Sequence, residues 1–230
     1  MRLSKRLRVI ASFVAPGSAV ADIGTDHGYI PVYLVKEGIA PRALAMDVRK
    51  GPLERAKEHV REHGLSDRIA LRLSDGLSGL KPGEADTVII AGMGGKLVMR
   101  ILEQGRHVWD SVKHFILSPQ SDWGETRRFL EQAGFRIDGE AMVEEDGKFY
   151  VVMAVSRGEM RLSRACYYEY GKDLIGKKDP ALFRCLDREK RTVGAILEGL
   201  SEAQTENMRK RQAALKERLA VIEEAQYEMQ

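Results

Sequence analysis

Between residues 19 and 133, short aliphatic runs alternate with stretches of helical apolar spacing, and this beat limits the possible folds more than any other feature of the chain. Strand-like runs fall at 19–23, 43–46, 69–73, 86–91 and 114–117, with helical patterns between them at 29–37, 51–63, 94–104 and 123–133. Parallel neighbours need a crossover connection, so the alternation predicts a parallel sheet with helices on both faces. The rhythm changes at the end, where 136–144 and 148–155 are strand candidates joined by Glu145-Asp146-Gly147, a hairpin signal. The expectation is an α/β fold with seven strands, mostly parallel, whose last hairpin is antiparallel. Ahead of it, Leu3, Leu7, Ile10 and Val14 recur at helical spacing with Ser4 placed to cap, and the polar side carries Arg2, Lys5, Arg6 and Arg8.

After Arg157-Gly158 the strand pattern stops, so we expect one domain over 1–157 and a second, helical one over 158–230. Val193 and Leu200 follow Leu186 at intervals of seven, and Leu215 and Ile222 follow Met208 the same way. The two series predict two amphipathic helices, an antiparallel coiled-coil-like pair linked across 201–207. Residues 157–191 hold ten Lys or Arg against six acids, with Tyr167, Tyr168 and Tyr170 interleaved. That patch reads either as a grip for phosphates or as an ordinary solvated helix face.

Composition removes several classes. A net charge of +3 excludes a histone-like polycation. Cys166 and Cys185 cannot build a disulfide framework and lack zinc spacing, which fits a reducing cytosol. No apolar run reaches membrane-span length, and the start of the chain lacks the apolar core of a signal peptide. The expectation is a cytoplasmic, monomeric protein without a membrane segment. His59 and His63 have ligand spacing on a helix, but no third ligand is near and no metal is expected.

The segment Val20-Ala-Asp22-Ile-Gly24-Thr-Asp26-His27-Gly28-Tyr29 falls at the first strand-to-helix turn, where open α/β sheets bind ligands. A dinucleotide fingerprint would place a glycine where Asp22 stands. Two carboxylates here would repel a pyrophosphate, which disfavours an NAD-dependent oxidoreductase. They suit a ligand with ammonium and sulfonium charge, namely S-adenosylmethionine. Asp47 ends the second strand, where a carboxylate accepts from ribose hydroxyls, and Asp75 ends the third, within reach of an adenine amino group. Each acid alone also reads as a turn or cap aspartate; an acid at the ends of strands one, two and three does not arise easily from caps. The fourth strand runs into Gly92-Met93-Gly94-Gly95-Lys96, which matches no P-loop. It also lacks the Asn/Asp-Pro-Pro-aromatic motif common among enzymes that methylate exocyclic amines. The acceptor is therefore expected to carry a lone pair already, as a ring nitrogen does.

These residues resemble the bacterial tRNA adenine-N1-methyltransferases that modify position 22, the TrmK family. The resemblance rests on Leu3-Ser-Lys-Arg-Leu7, Ala21-Asp-Ile-Gly-Thr-Asp-His-Gly-Tyr29, Ile90-Ala-Gly-Met-Gly-Gly95 and Leu117-Ser-Pro-Gln120. It implies a Rossmann-like class I methyltransferase domain, a C-terminal helical domain that helps hold tRNA, and S-adenosylmethionine as cofactor. The cofactor residues are then expected at Asp22, Gly24, Thr25, Asp26, His27, Gly28, Asp47, Val48, Asp75, Gly76, Ala91 and Gly92. Asp26 and Tyr29 are the catalytic candidates, Asp26 for the charge developing on the base and Tyr29 for stacking, although Tyr29 also reads as a first-turn core residue. Arg6, Tyr29, Met93, Ser118 and Gln120 are the candidate substrate-binding residues. The rival readings are a methyltransferase for another RNA or a small molecule, and an RNA-binding protein without catalysis.

Overall fold

Strands β1 (Val20–Ile23) and β2 (Ala43–Asp47) of the computed structural model are buried at every residue, because helices cover both faces of the sheet. Five further strands follow: β3 (Ile69–Leu73), β4 (Thr87–Met93), β5 (His114–Pro119), β6 (Phe135–Glu145) and β7 (Lys148–Arg157). Residues 3–200 and 205–230 are described; Arg2 and most of the expected link at 201–207 lie outside them. The sheet order is β3-β2-β1-β4-β5-β7-β6. β1 pairs in parallel with β2 and β4, β2 with β3, and β4 with β5; β7 is antiparallel to both β5 and β6. The chain thus works outward from β1 to β3 and then returns to place β4 on the other side of β1. Such a reversal opens a crevice at the carboxyl ends of the strands.

Helices α1 (Lys5–Ser12), α2 (Tyr29–Lys36), α3 (Lys50–Glu62), α4 (Gly95–Gln104) and α5 (Trp123–Gln132) occupy the expected places. The Ser4 side chain accepts from Leu7 N, capping α1, and the Lys5 amide donates to Glu145 Oε1 at 2.6 Å, fastening the helix to the β6–β7 hairpin. Leu3, Ile10, Ala11 and Val14 enter the core with Val32, Leu34, Ile89 and Ile116. β4 runs past its expected end. Its register with β5 slips between Ala91 and Met93, at Gly92, whose φ of +79° turns the backbone in a way that suits glycine.

One pair in this unit is unusual. Arg127 on α5 and Glu140 on β6 meet at 2.7 Å with side chains 0% and 1% exposed, so two charges are buried together.

The structure divides into two compact units, Met1–Met160 and Arg161–Gln230. The second contains a π-helical turn (Tyr167–Gly171), a short α6 (Lys172–Gly176), α7 (Pro180–Gly199) and α8 (Glu206–Glu228). Asp179 caps α7 by accepting from Ala181 N and Leu182 N. Glu189 meets Arg218 and Lys190 meets Glu223, while Gln212 donates to Leu200 O, so α7 and α8 run antiparallel. Leu186, Val193 and Ile222 of the two heptad series are buried. Among the described residues no helix is long and apolar enough to cross a membrane.

Candidate functional site

Three carboxylates end three adjacent strands. Asp22 lies in β1, Asp47 ends β2, and Asp75 follows β3; all three line a cavity of about 620 Å³ at the carboxyl edge of the sheet. Asp22 and Asp47 are buried. Asp47 Oδ1 accepts from Arg49 N at 2.7 Å, which fixes its carboxylate at the start of α3. Burial pushes the Asp22 carboxyl up to about 6; the Thr25 hydroxyl beside it pulls the other way, and the Asp47 charge adds to the rise.

The turn after β1 is pinned from below. Gly24 N and Thr25 N both donate to Met46 O, at 2.8 and 2.9 Å. Gly24 has φ +74°, and the Met93 methyl group lies where a side chain at Gly24 would stand. The glycine is therefore needed for both conformation and space. Asp26, two residues on, faces the cavity from an open position with its side chain 64% exposed. Arg55 of α3 donates to its Oδ1 at 2.9 Å, and His27 Nε2 is 3.6 Å from the same oxygen. Tyr29 at the start of α2 is 42% exposed at the rim; His27 stacks on it at 5.3 Å and His59 meets it edge-on at 5.1 Å.

Val48 and Leu97 present exposed apolar side chains to the cavity from the β2–α3 connection and from α4. Gly76, Ala91, Gly92, Met93 and Gln120 also line it. Gln120 N donates to Met93 O at 2.8 Å, tying the end of β5 to the end of β4. Arg6 reaches the cavity from α1.

Most of the expected site residues therefore converge on one cavity. Four do not face it. Thr25 is buried behind the turn, His27 and Gly28 frame α2 from outside the cavity wall, and Ser118, 1% exposed in β5, is buried without a hydrogen-bond partner for its hydroxyl. The sequence reading missed Arg55, Leu97, Arg100 and Ile101. Helix-borne residues like these reach a site only through the way their helices pack. The arrangement fits a ligand with an aromatic ring, vicinal hydroxyls and a cationic end: apolar faces at Val48 and Leu97, a fixed carboxylate at Asp47, and acids at Asp22 and Asp26. Among the described residues, no group of three or more His, Cys, Asp or Glu could hold a metal ion.

Comparison with known proteins agrees with this chemistry. Residues 3–153 match the family described as "Methyltransferase domain". The tRNA (adenine(22)-N(1))-methyltransferase of Bacillus subtilis is 33% identical over 230 residues, covering 97% of each chain. Its crystal structure superposes with a TM-score of 0.87 at 33% identity, covering 97% of this chain and 98% of that one. A Streptococcus pneumoniae protein solved with S-adenosyl-L-methionine gives a TM-score of 0.88 at 34% identity, over 97% of this chain and 99% of that one.

Proposed function

The chain belongs to the TrmK family of bacterial tRNA (adenine(22)-N(1))-methyltransferases, and on that premise we propose how its cavity methylates N1 of adenine 22 in tRNA with S-adenosylmethionine as the donor. The observation that carries the reading is the convergence of Asp22, Asp47 and Asp75 from three neighbouring strands on one cavity.

Asp47 accepts from the ribose hydroxyls, Asp75 from the adenine amino group, and Val48 and Leu97 flank the adenine ring. Gly24, Gly76, Ala91 and Gly92 let the backbone approach closely, while Thr25, His27 and Gly28 shape the turn behind them. Asp22 and Asp26 face the cationic amino-acid end. Bound there, the cofactor supplies an electrophilic methyl group on a sulfonium.

The target base enters over Gly92 and Met93, with Tyr29 as its stacking face and Gln120 at its edge. Ser118 acts from behind this wall, supporting the end of β5. N1 of adenine already has a lone pair, so alignment and exclusion of water do most of the work. Positive charge grows on the base as it reacts, and the Asp26 carboxylate at the rim stabilises it. Arg55 and His27 set the orientation of that carboxylate.

The rest of the tRNA is held through phosphates by exposed Lys5 and Arg8 of α1 and by basic side chains of the helical unit, whose antiparallel α7–α8 pair acts as a short coiled-coil-like arm. Many of that unit's cations are already committed, as in Lys177–Asp173, Arg191–Asp187 and Lys190–Glu223, so its field is weaker than its composition suggests. Cys166 and Cys185 are buried and not in a disulfide, which suits a cytoplasmic protein, and the proposal takes it to work there as a monomer.

The deciding experiment incubates the protein with labelled S-adenosylmethionine and tRNA transcripts, followed by nucleoside analysis. Label in 1-methyladenosine that disappears when adenine 22 is replaced is the expected result. Label in another nucleoside, or none, rejects it.

A further inference from the structure

The guanidinium of Arg6 lies over the Tyr150 ring, 5.0 Å from its centroid, and its Nη1 is buried without a hydrogen-bond partner. Nη1 is 3.6 Å from the place where a Cβ on Gly92 would stand, on the cavity wall beside the β1–β4 crevice. The Lys5–Glu145 bond fastens α1 to the hairpin that carries Tyr150, so the guanidinium is held rather than free to swing into water. A buried N–H without an acceptor is costly, and a charged one more so. Such a group is suited to an acceptor that arrives inside the cavity.

The target base is a poor candidate for that acceptor. It becomes cationic as it reacts, and a neighbouring guanidinium would oppose the reaction. The phosphates of a folded RNA are also poor candidates, because only the extruded base passes the rim. What remains is the amino-acid end of the cofactor, which carries a carboxylate as well as an ammonium. Asp22 and Asp26 answer the ammonium and leave the carboxylate without a partner. The other arginines on the wall sit elsewhere: Arg49 lies 3.8 Å from Asp47 at the end of β2, and Arg100 is exposed on α4 beside Ile101, which packs on Gly76.

Building on the reading that this cavity holds S-adenosylmethionine, we propose that Arg6, set by Tyr150, donates to the cofactor's carboxylate. The N-terminal helix then serves the donor site as well as the RNA. Arg6 also tells the cofactor from adenosine ligands that lack an amino-acid carboxylate.

The test is calorimetric and needs no turnover. S-adenosylmethionine, its decarboxylated analogue and 5′-methylthioadenosine are titrated into the full-length protein and into Arg6→Met. The expected result is a loss of about tenfold to a hundredfold for S-adenosylmethionine in the variant, the range for a charge-assisted hydrogen bond, with the other two ligands unchanged. Tyr150→Leu, which leaves the charge but removes the ring that aims it, should show a smaller loss with the same selectivity. Equal losses for all three ligands, or no loss, overturn the proposal. So does a variant with normal cofactor affinity whose KM for tRNA alone rises, since that assigns Arg6 to the RNA. If the unaltered protein binds none of the three ligands, the functional reading itself fails, which is a separate result.

Discussion

The methyl group of Met93 occupies the space that a side chain on Gly24 would need, so the turn after β1 and the end of β4 are fitted to each other across the crevice. Gly24 also has φ +74°. Gly24→Ala should therefore destabilise the protein by more than about 1 kcal/mol and weaken cofactor binding with it. Adding Met93→Ala removes the collision but leaves the backbone strain. The double variant should recover part of the stability in thermal unfolding, and full recovery would show that conformation is not limiting.

Asp22 should make cofactor binding depend on pH. Its carboxyl is pushed up to about 6 by burial, whereas the unfolded chain keeps the ordinary value near 3.8. The folded state thus holds the proton more tightly, and stability falls as pH rises from about 4 to about 6, then levels. The size of that fall is about 3 kcal/mol. A ligand with a cationic end favours the ionised form. Affinity for S-adenosylmethionine should rise up to about tenfold per pH unit below 6 and flatten above, with about one proton released on binding below that point. Calorimetry in buffers of different ionisation enthalpy measures the release. Asp22→Asn should abolish it and be more stable than the parent at pH 8.

Asp47→Ala should weaken cofactor binding by about 1–3 kcal/mol, the cost of leaving ligand hydroxyls without their acceptor. The same change removes the acceptor of the Arg49 amide. Titration with S-adenosylhomocysteine is the measurement, and unchanged affinity would remove Asp47 from the site.

How much of this was legible beforehand depends on how far apart the interacting residues lie in sequence. The strand–helix alternation and the acids at three strand ends follow from local pattern, and the structure places them together. The helical pattern groups Arg6 with Lys5 and Arg8 on the polar side of α1, yet it stands three residues after Leu3 and four before Ile10, and in the fold it is half-buried while those two are exposed. Ser118 is buried off the cavity wall, which local pattern does not show because the sheet pairing decides which side chains of β5 meet the cavity. The Arg55–Asp26 contact spans 29 residues and depends on how α3 packs against the loop, which no local spacing encodes.

The buried Arg127–Glu140 pair was equally invisible, since it joins a helix to a strand. Glu140→Ala leaves a buried guanidinium without its carboxylate and should cost about 3–5 kcal/mol in denaturant unfolding. Arg127→Met with Glu140→Leu should restore most of that. Neither residue lines the cavity, so cofactor affinity of the double variant should match the parent at a temperature where both are folded.

The proposed division of labour between the two units gives a last expectation. Among the described residues, those that line the cavity all belong to the first unit, Met1–Met160, which also holds all seven strands of the sheet. A chain ending at Met160 should therefore bind S-adenosylmethionine within about twofold of the parent, since none of the groups assigned to the donor is removed. Its tRNA contacts should shrink, because each lost phosphate contact also removes a released counterion. Methylation of tRNA should fall through a raised KM, and the dependence of RNA affinity on salt should become shallower in filter binding. A truncated chain with unchanged KM and unchanged salt slope would mean that the helical unit has no part in holding the RNA. Lost cofactor binding would instead show that the first unit depends on the second for its fold.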